Sequence, residues 1–169
     1  NIITELLNIS PSSRHYTALL EATRILKMKV SQGEVPSMLK LASILKSFNK
    51  EDDLSSIGND LSRRLVLEQE NGMSILLIGD GTEAALSLEN RLNILQIQNM
   101  KLPSPSTKKE DYTTEEKRST VVMMVLSHFA KKFALVKRPV FKIILFDESW
   151  MLGKTTEGVK LYEDRKSVV

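Results

Sequence analysis

The stretch FKIILFDESWML, residues 141–152, runs Ile143, Ile144, Leu145 and Phe146 straight into adjacent Asp147 and Glu148, and then into Trp150, the chain's only tryptophan. A continuous apolar run of strand length is the pattern of a strand buried on both faces, as in α/β proteins whose helices cover both sides of a sheet. In an open α/β sheet, ligands sit beyond the carboxyl ends of the strands. The sequence therefore delivers two carboxylates to a ligand edge. Asp147 at the strand tip suits the hydration shell of a Mg²⁺ ion, which takes few protein ligands and keeps several waters. Glu148, pointing the other way, suits orienting or deprotonating a water. A strand that simply ends in a polar turn shows the same residue types, and both readings stand at this point.

Immediately upstream, Thr113 and Glu116 fit a capping box opening a helix that carries the apolar run 121–126 and then Phe129, Ala130 and Phe133. Six consecutive apolar residues leave no polar face over that turn and a half, so this helix is expected to pack on more than one side. Lys131, Lys132, Lys137 and Arg138 crowd its end, where cations complement the helix dipole. Pro139 then stops it. Before this helix, KLPSPSTKKED reads as a loop by composition. RLNILQIQNM suggests a strand with one more polar face. SILLIGDG reads as a strand or extended segment closed by a tight turn, where glycine supplies positive φ.

Residues 1–71 read as helices. Ser10-Pro11 is expected to cap a helix carrying Leu19, Ala22, Leu26 and Val30 up to Gln32-Gly33. Pro36-Ser37 opens a second, with Met38, Leu41, Ala42, Leu45 and Phe48 on one stripe. A third starts near Asp52 and puts Leu54, Ile57, Leu61 and Leu65 on one face. Leu39 and Ile44 fall off the second stripe and are expected either to leave apolar surface for docking or to complete an internal bundle. The reading is an α/β chain, mainly helical, with a helical subdomain over 1–71 and a second part over 72–169 that holds the strand at 140–148.

Gly153-Lys154-Thr155 looks like the tail of a phosphate-binding loop. The pattern G-x-x-x-x-G-K-[ST] would need glycine at position 148, which is Glu148, and Trp150, Met151 and Leu152 are too bulky for backbone amides to close around a phosphate. No residue is therefore assigned to nucleotide binding. The chain has no cysteine and only His15 and His128, far apart in sequence, which excludes disulfide scaffolds and argues against zinc. With 24 basic against 21 acidic residues the net charge of +3 does not by itself call for a nucleic acid. No apolar run is long enough for a membrane span.

IILFDESWML, followed by a glycine, resembles the Walker B segment of the ATPases that energise type IV secretion and conjugative DNA transfer. Upstream, the helical block, LLIGDG, NRLNILQIQNMKLP and the long apolar helix are similar in order to the stretch those P-loop proteins carry between the phosphate-binding loop and Walker B. The resemblance implies a partial RecA-like parallel sheet with packed helices and a helical insertion, within an internal piece of a larger bacterial motor. It implies that Asp147 is the Mg²⁺-associated aspartate, Glu148 the water-activating catalytic glutamate, and Trp150 a packing residue. It further implies ATP and Mg²⁺ as cofactors of the complete protein and none for this piece alone. The parent would be a homo-oligomeric ring, cytoplasmic or peripheral to the inner face of the membrane, meeting secretion-channel or coupling proteins. The Walker A loop is absent and the tail LYEDRKSVV departs from the family's arginines, with Arg165 the nearest match. Two other readings are a non-enzymatic helical interaction module and a DNA contact through residues 131–138 and Lys108-Lys109.

Overall fold

A computed structural model of the chain describes residues 2–49, 53–82, 92–94, 96–97, 99–104, 106–135 and 143–145. The chain divides into two compact units, one over Ile3–Ala84 and one over Ala85–Val169. The described residues are mainly helical: α1 is Ile2–Leu6, α2 Arg14–Ser31, α3 Met38–Lys46, α4 Ser55–Gln69 and α5 Thr114–Leu135, with short 3₁₀ helices at Gly72–Leu76 and Lys109–Asp111. No strand occurs among the described residues.

The first unit is a helical bundle whose segments begin and end where local chemistry dictates. Ser13, not Ser10, caps α2: its side chain accepts from the Tyr16 N–H, and its own hydroxyl donates to the Ser10 carbonyl at 2.7 Å. Ser10-Pro11 instead forms the preceding turn, closed by the Ser13 N–H on the Ser10 carbonyl at 3.0 Å. Gly33 ends α2 with φ +98°, a left-handed conformation that costs a residue without Cβ little. The Glu34 N–H then reaches Lys29 O and the Gly33 N–H reaches Val30 O, the paired bonds that satisfy a helix's last carbonyls. The helix does open at Pro36-Ser37, and Ser37 caps α3 by accepting from the Lys40 N–H at 3.1 Å.

Leu19, Ala18 and Ala22 of α2, Leu41, Ala42, Ile44 and Leu45 of α3, and Leu61 and Leu65 of α4 form one buried cluster, with Leu7 and Ile9 from the α1 to α2 connection. Leu26, Met38, Phe48, Leu54 and Ile57 pack on its edge, so the anticipated stripes face inward except at Val30, which is 37% exposed near the end of α2. Ile44 does not leave apolar surface. It is 6% exposed and belongs to the core, because α3 is enclosed by both α2 and α4 and buries more than one stripe.

Contact between α3 and α4 is the tightest packing in this unit. Gly58 is buried in α4, and a Cβ placed there would lie 2.4 Å from the Leu45 carbonyl oxygen and 2.9 Å from the Phe48 ring. Ser55 and Ser62 are also buried, and the Ser55 hydroxyl donates to the Phe48 carbonyl at 3.3 Å. Small residues on this side of α4 are what let the backbones approach. At the far end of α4, Arg64 donates to the Leu7 carbonyl, tying the helix to the α1 to α2 connection.

The apolar run after α4 differs from its sequence reading. Gly72–Leu76 is a 3₁₀ helix: the Ser74 N–H bonds Asn71 O at 2.8 Å and the Leu77 N–H bonds Ser74 O at 2.9 Å. Periodicity alone cannot separate short apolar runs of strand and helix. Here Ser74, fully buried, also donates to the Glu68 carboxylate at 2.8 Å, which holds the turn against α4. The chain then crosses to the start of α3, where Gly79 O accepts from the Leu39 N–H at 3.2 Å and so satisfies an otherwise unpaired amide of the first turn. Gly81 has φ +93°, as the turn reading requires, and a Cβ there would meet Val35 Cγ1 at 3.0 Å.

Exchanging a helical glycine for alanine on an open surface stabilises by up to about 1 kcal/mol. Gly58→Ala should reverse that sign and cost about 1–3 kcal/mol, because α4 must move off α3. Denaturant unfolding of the chain measures it, and a higher midpoint would show that the two helices can separate freely.

A pH effect follows from Glu34. Its carboxyl is held below the usual range first by the hydrogen bond from Lys29, with Lys40 adding a further attraction. A depressed carboxyl contributes stability that is present above its unfolded value and lost as pH falls through the folded one. Glu34→Gln should therefore lower stability slightly at neutral pH, and the difference from the unmodified chain should vanish in acid; a gap that persists below the carboxylate range would exclude the ion pairs as its source.

Candidate functional site

Asp147, Glu148 and Trp150, as well as Gly153, Lys154, Thr155 and Arg165, lie outside the described residues, as do Lys137 and Arg138. The structure describes the approach to the acidic pair, residues 143–145, and the helix that approach packs on. Within the second unit, Ile144 is half-buried against the cluster of Met123 and Ala130 in α5, on which Leu126, Met100 and Leu102 also pack. Its neighbours Ile143 and Leu145 are 65% and 89% exposed. Successive side chains of an extended segment point to opposite sides, and this three-residue alternation places one side on α5 and leaves the other open.

α5 is built to hold that position. Its first turn is closed by the expected capping box: the Thr113 N–H donates to the Glu116 carboxylate at 2.8 Å, and the Glu116 N–H donates back to Thr113 Oγ1 at 3.3 Å. Val121, Val122 and Met123 are buried and residues 124–126 half-buried, as a helix packed on more than one side requires. Buried Ser119 accepts from the Lys101 N–H at 3.1 Å, fixing the chain that enters from residues 99–104. Pro103 is buried there, so this part of the loop is packed structure and not a free connection.

The described part of RLNILQIQNM lies in irregular backbone, with Leu92 and Ile94 at 73% and 79% exposure. Leu92 and Ile94 thus repeat the open, alternating pattern of Ile143 and Leu145. Asn93 between them carries a buried amide nitrogen with no hydrogen-bond partner.

Among the described residues, no group of three or more His, Cys, Asp or Glu side chains could hold a metal ion. His15 lies 3.6 Å from the Asp60 carboxylate, which Arg64 also approaches at 3.9 Å, on the surface of the helical unit. Asp80 is held below the usual carboxylate range by the Thr82 hydroxyl and N–H, a local turn. At the basic end of α5, Lys131 is half-buried and Lys132 exposed. No helix among the described residues is long and apolar enough to cross a membrane.

With this arrangement in place, comparison defines the class: the AAA-like domain family matches residues 1–167, and the chain belongs to that family, of the P-loop NTPase type. Among individual proteins, the uncharacterized protein YddE of Bacillus subtilis (strain 168) is 28% identical over 152 residues, covering 90% of this chain and 18% of YddE. The chain thus spans under a fifth of that relative's length. No solved structure matches it.

If α5 anchors the approach through one side of the segment, Ile144→Ala should cost about 1–2 kcal/mol, less than a fully buried isoleucine, whereas Leu145→Ala should stay within about 0.5 kcal/mol. Equal losses at the two positions in denaturant unfolding would contradict the alternation.

Proposed function

We propose that the complete protein is an ATPase that powers type IV secretion or conjugative DNA transfer, with residues 140–148 as a strand of a RecA-like parallel sheet and the Asp147–Glu148 pair at its ligand edge. The observation that carries this reading is an apolar run of strand length that ends in two carboxylates, within a chain that belongs to the AAA-like family. The half-covered approach supports it. Ile144 already packs on α5, while Ile143 and Leu145 present an apolar side that a core strand would bury against further helices of the parent.

The donor set fits the assignment, since hard carboxylate oxygens are what Mg²⁺ accepts. Asp147 would position the ion's water shell. Glu148 would orient the attacking water and accept its proton. ATP with Mg²⁺ supplies the transferable phosphoryl group and the charge neutralisation that phosphoryl transfer needs. The phosphate cradle has to come from outside this chain, because its one Gly-Lys-Thr lacks the preceding glycine. The complete protein would act as a ring whose subunits complete each other's sites, at the cytoplasmic face of the membrane and in contact with channel or coupling proteins. In that assembly the bundle of α1 to α4 serves as the helical insertion and takes no part in phosphate chemistry.

In the complete protein, Glu148→Gln should lower ATP turnover by roughly 10²- to 10⁴-fold while nucleotide binding persists, since the amide keeps the shape but cannot accept a proton. Asp147→Asn should instead raise the Mg²⁺ concentration needed for turnover. Wild-type turnover in Glu148→Gln would remove the assignment. Tight Mg-ATP binding by this chain alone, measured by calorimetry, would mean the cradle does not lie elsewhere.

A further inference from the structure

The junction between α4 and the 3₁₀ helix carries a chemical liability of its own. Of the asparagines at positions 1, 8, 49, 59, 71, 90, 93 and 99, Asn71 alone is followed by glycine. It is exposed and lies past the α4 C-cap, Glu70, with extended backbone at φ −99° and ψ 98°. Its ψ can therefore turn without breaking the α4 ladder. Gly72 offers no Cβ, and nothing lies within 4 Å of the place one would occupy. Among the described residues no acceptor takes the Gly72 N–H. A nitrogen that is unhindered and unengaged thus stands next to a solvent-exposed carboxamide.

We infer that Asn71 is a site of deamidation. The Gly72 backbone nitrogen, having given its proton to solvent base, attacks Asn71 Cγ. A new Cγ–N bond forms, the Cγ–Nδ2 bond breaks, and the amide nitrogen leaves as ammonia after taking up a proton. Water then opens the resulting five-membered imide at either carbonyl and leaves aspartate or isoaspartate. The balance is asparagine plus water giving the acid plus ammonia, with no oxidant or metal required.

The surroundings make the change consequential. Asn71 Nδ2 donates to the Leu67 carbonyl at 3.0 Å, satisfying one of the last acceptors of α4. Either product replaces that donor by a carboxylate facing the negative end of the helix dipole. Isoaspartate also lengthens the backbone where Asn71 O accepts from the Ser74 N–H at 2.8 Å, the bond that opens the 3₁₀ helix. Modification therefore loosens the turn that packs fully buried Ser74 against Glu68.

The test is to age the folded chain in mildly alkaline buffer and map each asparagine by peptide mass spectrometry with an isoaspartate-specific methylation assay. Conversion should run faster at Asn71 than at the other asparagines, be lost in both Asn71→Gln and Asn71→Ser, and shift the unfolding midpoint to lower denaturant as the converted fraction grows. The aged variants should keep their starting midpoints. Conversion at Asn71 no faster than elsewhere in the folded chain, even if it leads in the denatured chain, would overturn the site. Complete conversion without a midpoint shift would overturn its structural consequence.

Discussion

The helical unit depends on one close approach, between the α4 backbone at Gly58 and the Leu45 carbonyl at the end of α3. With no side chain at Gly58, α4 settles onto α3 closely enough that Leu61 and Leu65 reach Leu41, Leu45 and Leu19 in one buried cluster. Dispersion contacts are individually small and fall off steeply with separation, so holding the helices even slightly apart would weaken the whole cluster. The connections reinforce this register. Ser55 bonds the end of α3, Arg64 bonds the α1 to α2 turn, and Gly79 bonds the start of α3. Each ties an unpaired backbone group of one segment to another segment. The bundle is thereby fastened at its helix ends as well as through its apolar faces.

The second unit follows a different logic. α5 carries an apolar run too wide for one stripe, and its neighbours include chain that forms no helix: residues 99–104 through Ser119, and Ile144 through Met123 and Ala130. Membership of the AAA-like family supplies the class. The proposed chemistry rests on Asp147 and Glu148, which follow directly from the segment α5 supports. The helical unit is held by its packing and its helix-end bonds. Its described residues offer no metal-binding cluster, and its charged groups are spent on exposed pairs such as Glu34 with Lys29 and Lys40.

Membership of a family and possession of a working site are separate matters in this chain. The family match runs over nearly all of it, yet the chain spans under a fifth of YddE. Its one Gly-Lys-Thr cannot form a phosphate loop because Glu148 stands where glycine is required. A carboxylate pair without donors for a polyanion repels what it would have to bind. The reading as part of a larger ATPase therefore explains both the acidic pair and the missing cradle, whereas an interaction module explains only the bundle.

What the sequence by itself determined is whatever depends on residues three or four apart. The helix opening at Pro36-Ser37, the helix end at Gly33, the Thr113–Glu116 box and the apolar stripes of α2 up to Leu26, of α3 and of α4 are local patterns, legible because their bonds and spacings close within one or two turns. The Asp147–Glu148 pair is also a local pattern, an apolar run closing on two carboxylates, and it lies outside the described residues. Tertiary structure alone decided the rest. Ser13 took the capping role expected of Ser10, since the Ser10-Pro11 turn bonds back on itself before the helix begins. The run after Asn71 became a 3₁₀ helix because buried Ser74 found Glu68. Ile44 went into the core, and Gly58 became indispensable, because α3 has neighbours on two sides. Those outcomes depend on which segment comes to lie beside which, and no spacing along the chain encodes the distance from Gly58 to the Leu45 carbonyl.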